Sequence, residues 1–164
     1  MREAAASDTS TIADLTVQAY VKGGHLSPQS PYVQTLRDVA PRLPETLVLT
    51  AHDDAIIAVI AGLPHGHPMA EATEPGEWEF RYLAVRKEYW GRGVGSHLIA
   101  AVEQRCRSHG AERIVLRVVD DNLRAIRLYE HRDYHHQPPR DISFESATSP
   151  GRMINLLLYA KELD

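Results

Sequence analysis

An α/β fold with one mixed, mostly antiparallel sheet and helices on both of its faces is what this sequence predicts. Three observations predict it. Residues 46–63 read as two apolar runs joined at Asp53-Asp54, a hairpin. Residues 79–102 read as a strand, a turn with three glycines and an amphipathic helix, and residues 113–119 as another β-branched strand. Helical patterns stand both before and after these strands, so a sheet covered on two sides satisfies the order.

Each element has its own signal. Asp8 is the expected N-cap of a helix running to Val21, with Ile12, Leu15 and Ala19 facing inward, and Gly23-Gly24 ends it. Ser30-Pro31 marks a second helix towards Ala40, closed by Pro41 and Pro44. Thr46–His52 and Ala55–Leu63 form the hairpin, and the Pro- and Gly-rich stretch 64–76 is a loop. Val94, Leu98, Ala101 and Val102 share the apolar side of the central helix, and Gly110 stops it. Asn122 caps a short helix to about Arg132. His135–Phe144, interrupted by Pro138-Pro139, and Arg152–Lys161 are the last strands.

The length of 164 residues suits a single domain, 1–164, with one substantial core. The formal charge of −4 argues against a nucleic-acid partner. No apolar run approaches the roughly 20 residues a bilayer span needs, so no membrane partner is expected. The single cysteine, Cys106, cannot form an internal disulfide, which suits a reducing, cytoplasmic setting. It falls on the apolar side of the central helix and reads as a packed thiol. His65 and His67 stand two apart without a third ligand nearby, and no metal is assigned to them.

The glycine turn, Trp90-Gly91-Arg92-Gly93-Val94-Gly95-Ser96, has the chemistry of an anion site. Backbone N–H groups are exposed at a helix start, the helix dipole adds positive charge, and missing Cβ atoms let a phosphate come close. A nucleoside-triphosphate loop would need a lysine before Ser96, and Gly95 stands there. A dinucleotide-binding turn would place its third glycine one residue later, although Asp120-Asp121 does end the next strand.

A third reading fits better. Leu83-Ala84-Val85 followed by Gly93-Val94-Gly95 resembles the acyl-CoA-binding core of the GNAT-type N-acetyltransferase superfamily, whose signature is Gln/Arg-x-x-Gly-x-Gly/Ala after a strand ending in Leu-x-Val. Trp90 departs from it, standing at the Gln/Arg position. A second signature is similar to the family's Asn-x-x-Ala-x-x-Leu-Tyr-x-x-x-Gly-Phe: Asn122, Ala125, Leu128 and Tyr129 match, and Asp133-Tyr134 replaces Gly-Phe. The resemblance implies the family's fold, acetyl-CoA as co-substrate, and transfer of its acetyl group directly to an amine of a small molecule or peptide. It implies that amides from Gly91 to Ser96 hold the pyrophosphate with Arg92 near the phosphates. Leu83, Ala84, Val85, Trp90, Ala125 and Tyr129 would complete the coenzyme site, with Asn122 against the pantetheine arm.

Expelling a thiolate calls for a proton donor, and a phenol can serve. The resemblance places Tyr129 in that role, although its spacing from Ala125 and Leu128 also fits a core aromatic. An alkylamine, charged at neutral pH, needs a base. Glu79 stands where some family members carry theirs, and period two puts it on one strand face with Arg81, Leu83 and Val85. An ion pair with a neighbouring arginine is its other reading, and Glu77 is the reserve. The resemblance also implies that Val85 polarises the thioester carbonyl with its N–H, and Asn122 is either an N-cap, a pantetheine contact or both. His131, His135 and His136 read as solvated surface.

Two rivals remain open at this level: a non-catalytic acyl-CoA-binding module on the same fold, and a dinucleotide-dependent oxidoreductase. The acceptor is not legible; it should meet the first two helices, the 23–30 and 64–76 loops and the 138–151 region. The apolar C-terminal strand is a candidate edge for a homodimer.

Overall fold

A computed structural model describes the whole chain, Met1 to Asp164. The elements are β1 (Arg2–Glu3), α1 (Thr9–Lys22), α2 (Tyr32–Arg37), β2 (Thr46–Thr50), β3 (Ile56–Pro64), β4 (Glu77–Val85), α3 (Val94–Ser108), β5 (Arg113–Val119), α4 (Leu123–Glu130), β6 (His135–His136), β7 (Ile142–Glu145) and β8 (Met153–Glu162). Short 3₁₀ turns cover Ala6–Asp8, Ala40–Glu45, Lys87–Tyr89 and Pro138–Arg140. The strands form one sheet in the order β1-β2-β3-β4-β5-β8-β6, with β7 also on β8. Every pairing is antiparallel except β4 with β5.

Alternation along the strands sorts the core into two layers. On one face, Leu98, Ile99, Val102 and Cys106 of α3 and Tyr129 of α4 pack on Ile60, Phe80, Ile114, Leu116 and Tyr159. On the other, Ile12, Ala13 and Leu15 of α1 meet Val48, Val59 and Ala84. Leu36 of α2 meets Ala61, Leu63 and Tyr82 beside them. Cys106 is fully buried in the first layer, where loss of water pushes its thiol up to about 12.

β4 is where the regular sheet gives way. Ala61 of β3 faces Arg81 and Val59 faces Ala84, so Tyr82 and Leu83 together stand opposite Ile60. Tyr82 has φ of 60°, a β-bulge built on a bulky residue. The bulge reverses the alternation. Glu79 therefore shares its face with Tyr82 and Ala84, whereas Leu83 and Val85 join the α3 layer. The period-two expectation that put Glu79 with Leu83 and Val85 fails at this one residue. On its other edge β4 pairs with β5 only from Glu77↔Arg113 to Glu79↔Val115. Beyond that point the strands run on to Val85 and Val119 unpaired, leaving a gap between them.

Two helix ends also differ from their signals. Asp8 does not cap α1. It closes the preceding 3₁₀ turn in αR conformation, and its carboxylate accepts from the Ala5 N–H at 2.7 Å and from Arg2. The second helix stops at Arg37 rather than near Ala40, because the fully buried Arg42 guanidinium donates to the carbonyls of Leu36 and Asp38 and caps it. Asn122 does cap α4, accepting from the Ala125 N–H at 3.2 Å. After α4 the chain turns at Asp133 with φ of 64°, the left-handed conformation that glycine adopts without strain. Its carboxylate makes no hydrogen bond that would offset this cost. Replacing Asp133 with glycine should therefore stabilise the fold by about 0.5–1 kcal/mol in a urea titration.

Candidate functional site

The gap between β4 and β5 opens onto the glycine turn at one end and Asn122 at the other strand's end. Gly91 and Gly93 hold the turn with φ of 72° and 77°, and an added Cβ at either would meet nothing within 4 Å. The amides of Gly91, Arg92, Gly93, Val94, Gly95 and Ser96 find no acceptor in the protein; the first bond of α3 is His97 N–H to Gly93 O. Neither α3 nor α4 has an acidic residue in its first turn. An open, anion-favouring cradle of this kind suits a diphosphate.

Val85 lies at the far end of the gap from the paired stretch. The Arg86 N–H donates to Ile57 O on β3 at 2.9 Å, so alternation turns the Val85 N–H and carbonyl away from β3, into the gap. The Trp90 indole N–H takes that carbonyl at 2.8 Å. Leu83 and Ala84 precede it on the same edge. Across the gap, Asn122 spends its side-chain oxygen on the α4 cap, and Ala125 follows on that helix. Gly95 brings α3 close to α4, since a Cβ there would stand 3.3 Å from Leu128 Cδ2.

Tyr129 approaches from the α3 face. Its ring packs edge-on against Phe80, with centroids 5.6 Å apart, and burial raises its pKa. Glu79 is the neighbour of Phe80 and lies on the opposite face, 2% exposed. Its Oε2 accepts from the Glu71 and Ala72 amides at 2.7 and 3.1 Å, and its Oε1 stands 3.8 Å from Arg81 Nε. Burial outweighs these contacts and raises the carboxyl above its ordinary value.

The second carboxylate on β4 is in a different state. Glu77 takes a two-pronged grip from Arg140 at 2.8 Å on each oxygen, a bond from the Glu74 amide at 2.9 Å, and Arg113 at 3.4 Å. Burial alone would raise its pKa, but the guanidiniums and the amide bring it below the usual range. It sits where β4 and β5 are still paired, and through Arg140 and Arg113 it fastens that edge.

Residues without a sequence signal complete the surroundings. Arg81 donates to Met69 O at 2.6 Å and to the Tyr32 hydroxyl at 2.7 Å, tying β4 to the 64–76 loop and to α2. Tyr82 lies under the Arg42 guanidinium, 3.9 Å from the ring centroid, and its buried hydroxyl has no partner. His65 and His67 are hydrogen-bonded to Thr73 and to Pro41 O respectively. His136 is exposed, as its surface reading expects, and is held there by Asp141 at 2.8 Å and by stacking on Tyr159.

A family model described as the Acetyltransferase (GNAT) family matches residues 11–134, both signatures included. The chain belongs to the GNAT acetyltransferase family. A Photorhabdus laumondii acetyltransferase is 35% identical over 63 residues, 38% of this chain and 44% of that protein. A Sodalis glossinidius acetyltransferase is 38% identical over 56 residues, 34% and 39% of the two chains. The match thus spans less than half the length of these relatives. Among solved structures, a GNAT acetyltransferase from Staphylococcus aureus superposes with TM-score 0.74 at 13% identity, over 99% of this chain and 98% of that one. A Salmonella typhimurium protein described as an acetyltransferase, solved with its cofactor acetyl-CoA, superposes with TM-score 0.74 at 17% identity over 99% and 92%. The ribosomal-protein-S18-alanine N-acetyltransferase of Escherichia coli gives 0.71 at 16% over 99% and 92%. These likenesses establish the GNAT fold. The dinucleotide reading lapses with family membership: the acidic pair that favoured it is engaged with Asn155 and His25.

The contrast between the two β4 carboxylates can be measured. Replacing Arg140 with methionine should cost about 2–3 kcal/mol at pH 7, less than for a fully buried pair because Arg140 is partly exposed. Glu77 has a lowered folded pKa, so its contribution is present above the unfolded carboxylate value and lost as pH falls through the folded one. The difference between wild type and variant should accordingly shrink below about pH 4 in urea titrations.

Proposed function

We propose that this GNAT acetyltransferase moves an acetyl group from acetyl-CoA directly to the nitrogen of an amine. The single observation that carries the reading is the row of six acceptor-free amides, Gly91 to Ser96, at the mouth of a gap with Tyr129 on one face and Glu79 on the other. The turn would bind the diphosphate, and the unpaired edges of β4 and β5 would take the amides of the pantetheine arm. The thioester supplies an activated acyl carbon and a leaving thiolate.

Around that carbon each residue has a proton or a charge to manage. The Val85 N–H, turned into the gap, stabilises the negative charge on the carbonyl oxygen as the amine nitrogen attacks. Glu79 takes the proton lost by the nitrogen, directly or through a water, and its raised pKa makes it a stronger base than an ordinary carboxylate. Tyr129 gives its hydroxyl proton to the sulfur as the C–S bond breaks. Burial keeps this phenol neutral far above neutral pH, so the donor is always loaded.

The acceptor would approach from the α1–α2 face, past Tyr20, Tyr32 and the 64–76 loop. A small-molecule or peptide amine is inferred, with no nucleic acid or membrane partner, and a homodimer through the β7–β8 edge is open to assay. A buried, unpaired thiol is consistent with work in the cytoplasm.

Tyr129→Phe should lower turnover more than tenfold with acetyl-CoA affinity nearly unchanged, measured by thiol release over an amine panel and by calorimetry. Unchanged turnover would remove the phenol from the reaction. Glu79→Gln keeps an acceptor for the Glu71 and Ala72 amides, so the variant should fold and bind acetyl-CoA normally while losing the acid-side limb of the rate–pH profile. Tight CoA binding by the wild type with no thiol release on any amine would instead favour a binding module.

A further inference from the structure

The departure at Trp90 leaves the cradle without the charged or amide side chain that the signature carries there. Trp90 has one donor, its indole N–H, and that is already spent on Val85 O. Its ring, however, is occupied. The Arg124 guanidinium carbon lies 4.4 Å from the ring centroid, reaching across the open end of the gap from the first turn of α4.

Three features of the exposed Arg124 suit a ligand-binding group. It has no carboxylate or carbonyl partner, in a chain with 22 acidic residues against 18 lysines and arginines. The contact with the ring holds the guanidinium while none of its N–H donors is used within the protein. Its position is also unfavourable for the isolated helix. A cation in the first turn of α4, with no acidic residue beside it, faces the positive end of the helix dipole, and an anion at that place would remove the conflict. α3 presents its own acid-free first turn next to it, joined at Gly95 and Leu128, with Arg92 also unpaired.

We propose that Arg124, held over the Trp90 ring, supplies the guanidinium that grips the coenzyme's diphosphate in place of the side chain missing at position 90. Trp90 is then a positioning residue: it anchors to Val85 and carries the arginine. The inference rests on the acetyl-CoA reading above, and the test separates the two.

Calorimetric titration of the wild type, Arg124→Ala and Arg124→Lys with CoA and with 3′-dephospho-CoA reads the effect, with unfolding midpoints as a check on the exposed variants. Arg124→Ala should weaken both ligands about tenfold, the scale of a charge-assisted bond, with a flatter salt dependence, and Arg124→Lys should recover only part of the loss. Restoring arginine at the signature position, Trp90→Arg on the Arg124→Ala background, should return affinity towards wild type. Wild-type affinity in Arg124→Ala overturns the proposal. So does a loss seen with CoA but not with 3′-dephospho-CoA, because the guanidinium would then read the 3′-phosphate. A wild type that binds neither ligand overturns the coenzyme reading itself, and this proposal with it.

Discussion

The parting of β4 from β5 after Glu79↔Val115 is the constraint on which the rest of the molecule depends. A sheet interior does not ordinarily leave two facing edges of N–H and C=O groups unpaired, since each such group costs free energy when it lacks a partner. Here the cost is spread over several devices. The bulge at Tyr82, with φ of 60°, turns the strand away from its neighbour while keeping its pairing to β3. Arg86 fixes the far end by donating from its backbone to Ile57 O and from its side chain to Ile56 O. Trp90 satisfies the Val85 carbonyl. A ligand bearing its own amides would complete the ladder that the fold leaves open.

Three buried carboxylates show how the same burial can leave a carboxylate saturated by cations or only lightly held. Glu77 is saturated by two arginines and an amide, and Glu103 by Arg132, Lys161 and the Tyr134 hydroxyl. Both tie one element to another across the sheet or beneath α3. Glu79 has two loop amides and a distant arginine, contacts too weak to outweigh the loss of water. Of the two carboxyls on β4 it is the one raised above its ordinary value, and it stands where the gap begins. Removing water is the shared cause; the number of guanidiniums that follow decides the outcome.

Much of this was legible in the sequence, and the failures have specific causes. The strand at 113–119, the hairpin, the glycine turn and the Asn122 cap follow from local patterns and stand where those patterns put them. The bulge does not, because it depends on how β4 registers against β3, and one inserted residue was enough to move Glu79 to the other face. Asp8 has the composition of an N-cap but is captured by Arg2 and the Ala5 amide, a competition between neighbours that residue type cannot rank. Arg42 gave no signal, since a buried arginine capping a helix through carbonyls looks in sequence like any surface arginine. Asp133 was readable in the opposite sense: the glycine it replaces announced the positive φ that it now bears.

The arrangement also bears on whether transfer could pass through the protein. A covalent route would need a nucleophile in the gap. The only thiol, Cys106, lies beneath α3 against β3, where a Cβ on Gly62 would come 3.1 Å from its sulfur. That is one strand away from the gap, and burial raises its pKa to about 12, so its thiolate is scarce. Tyr129 is likewise held as a neutral phenol, suited to giving a proton and poorly suited to attack. With Cys106 out of reach, the proposed reaction, with Tyr129 and Glu79 on opposite faces of β4, has two partners meeting at one carbon and no chain nucleophile carrying the acyl group between them.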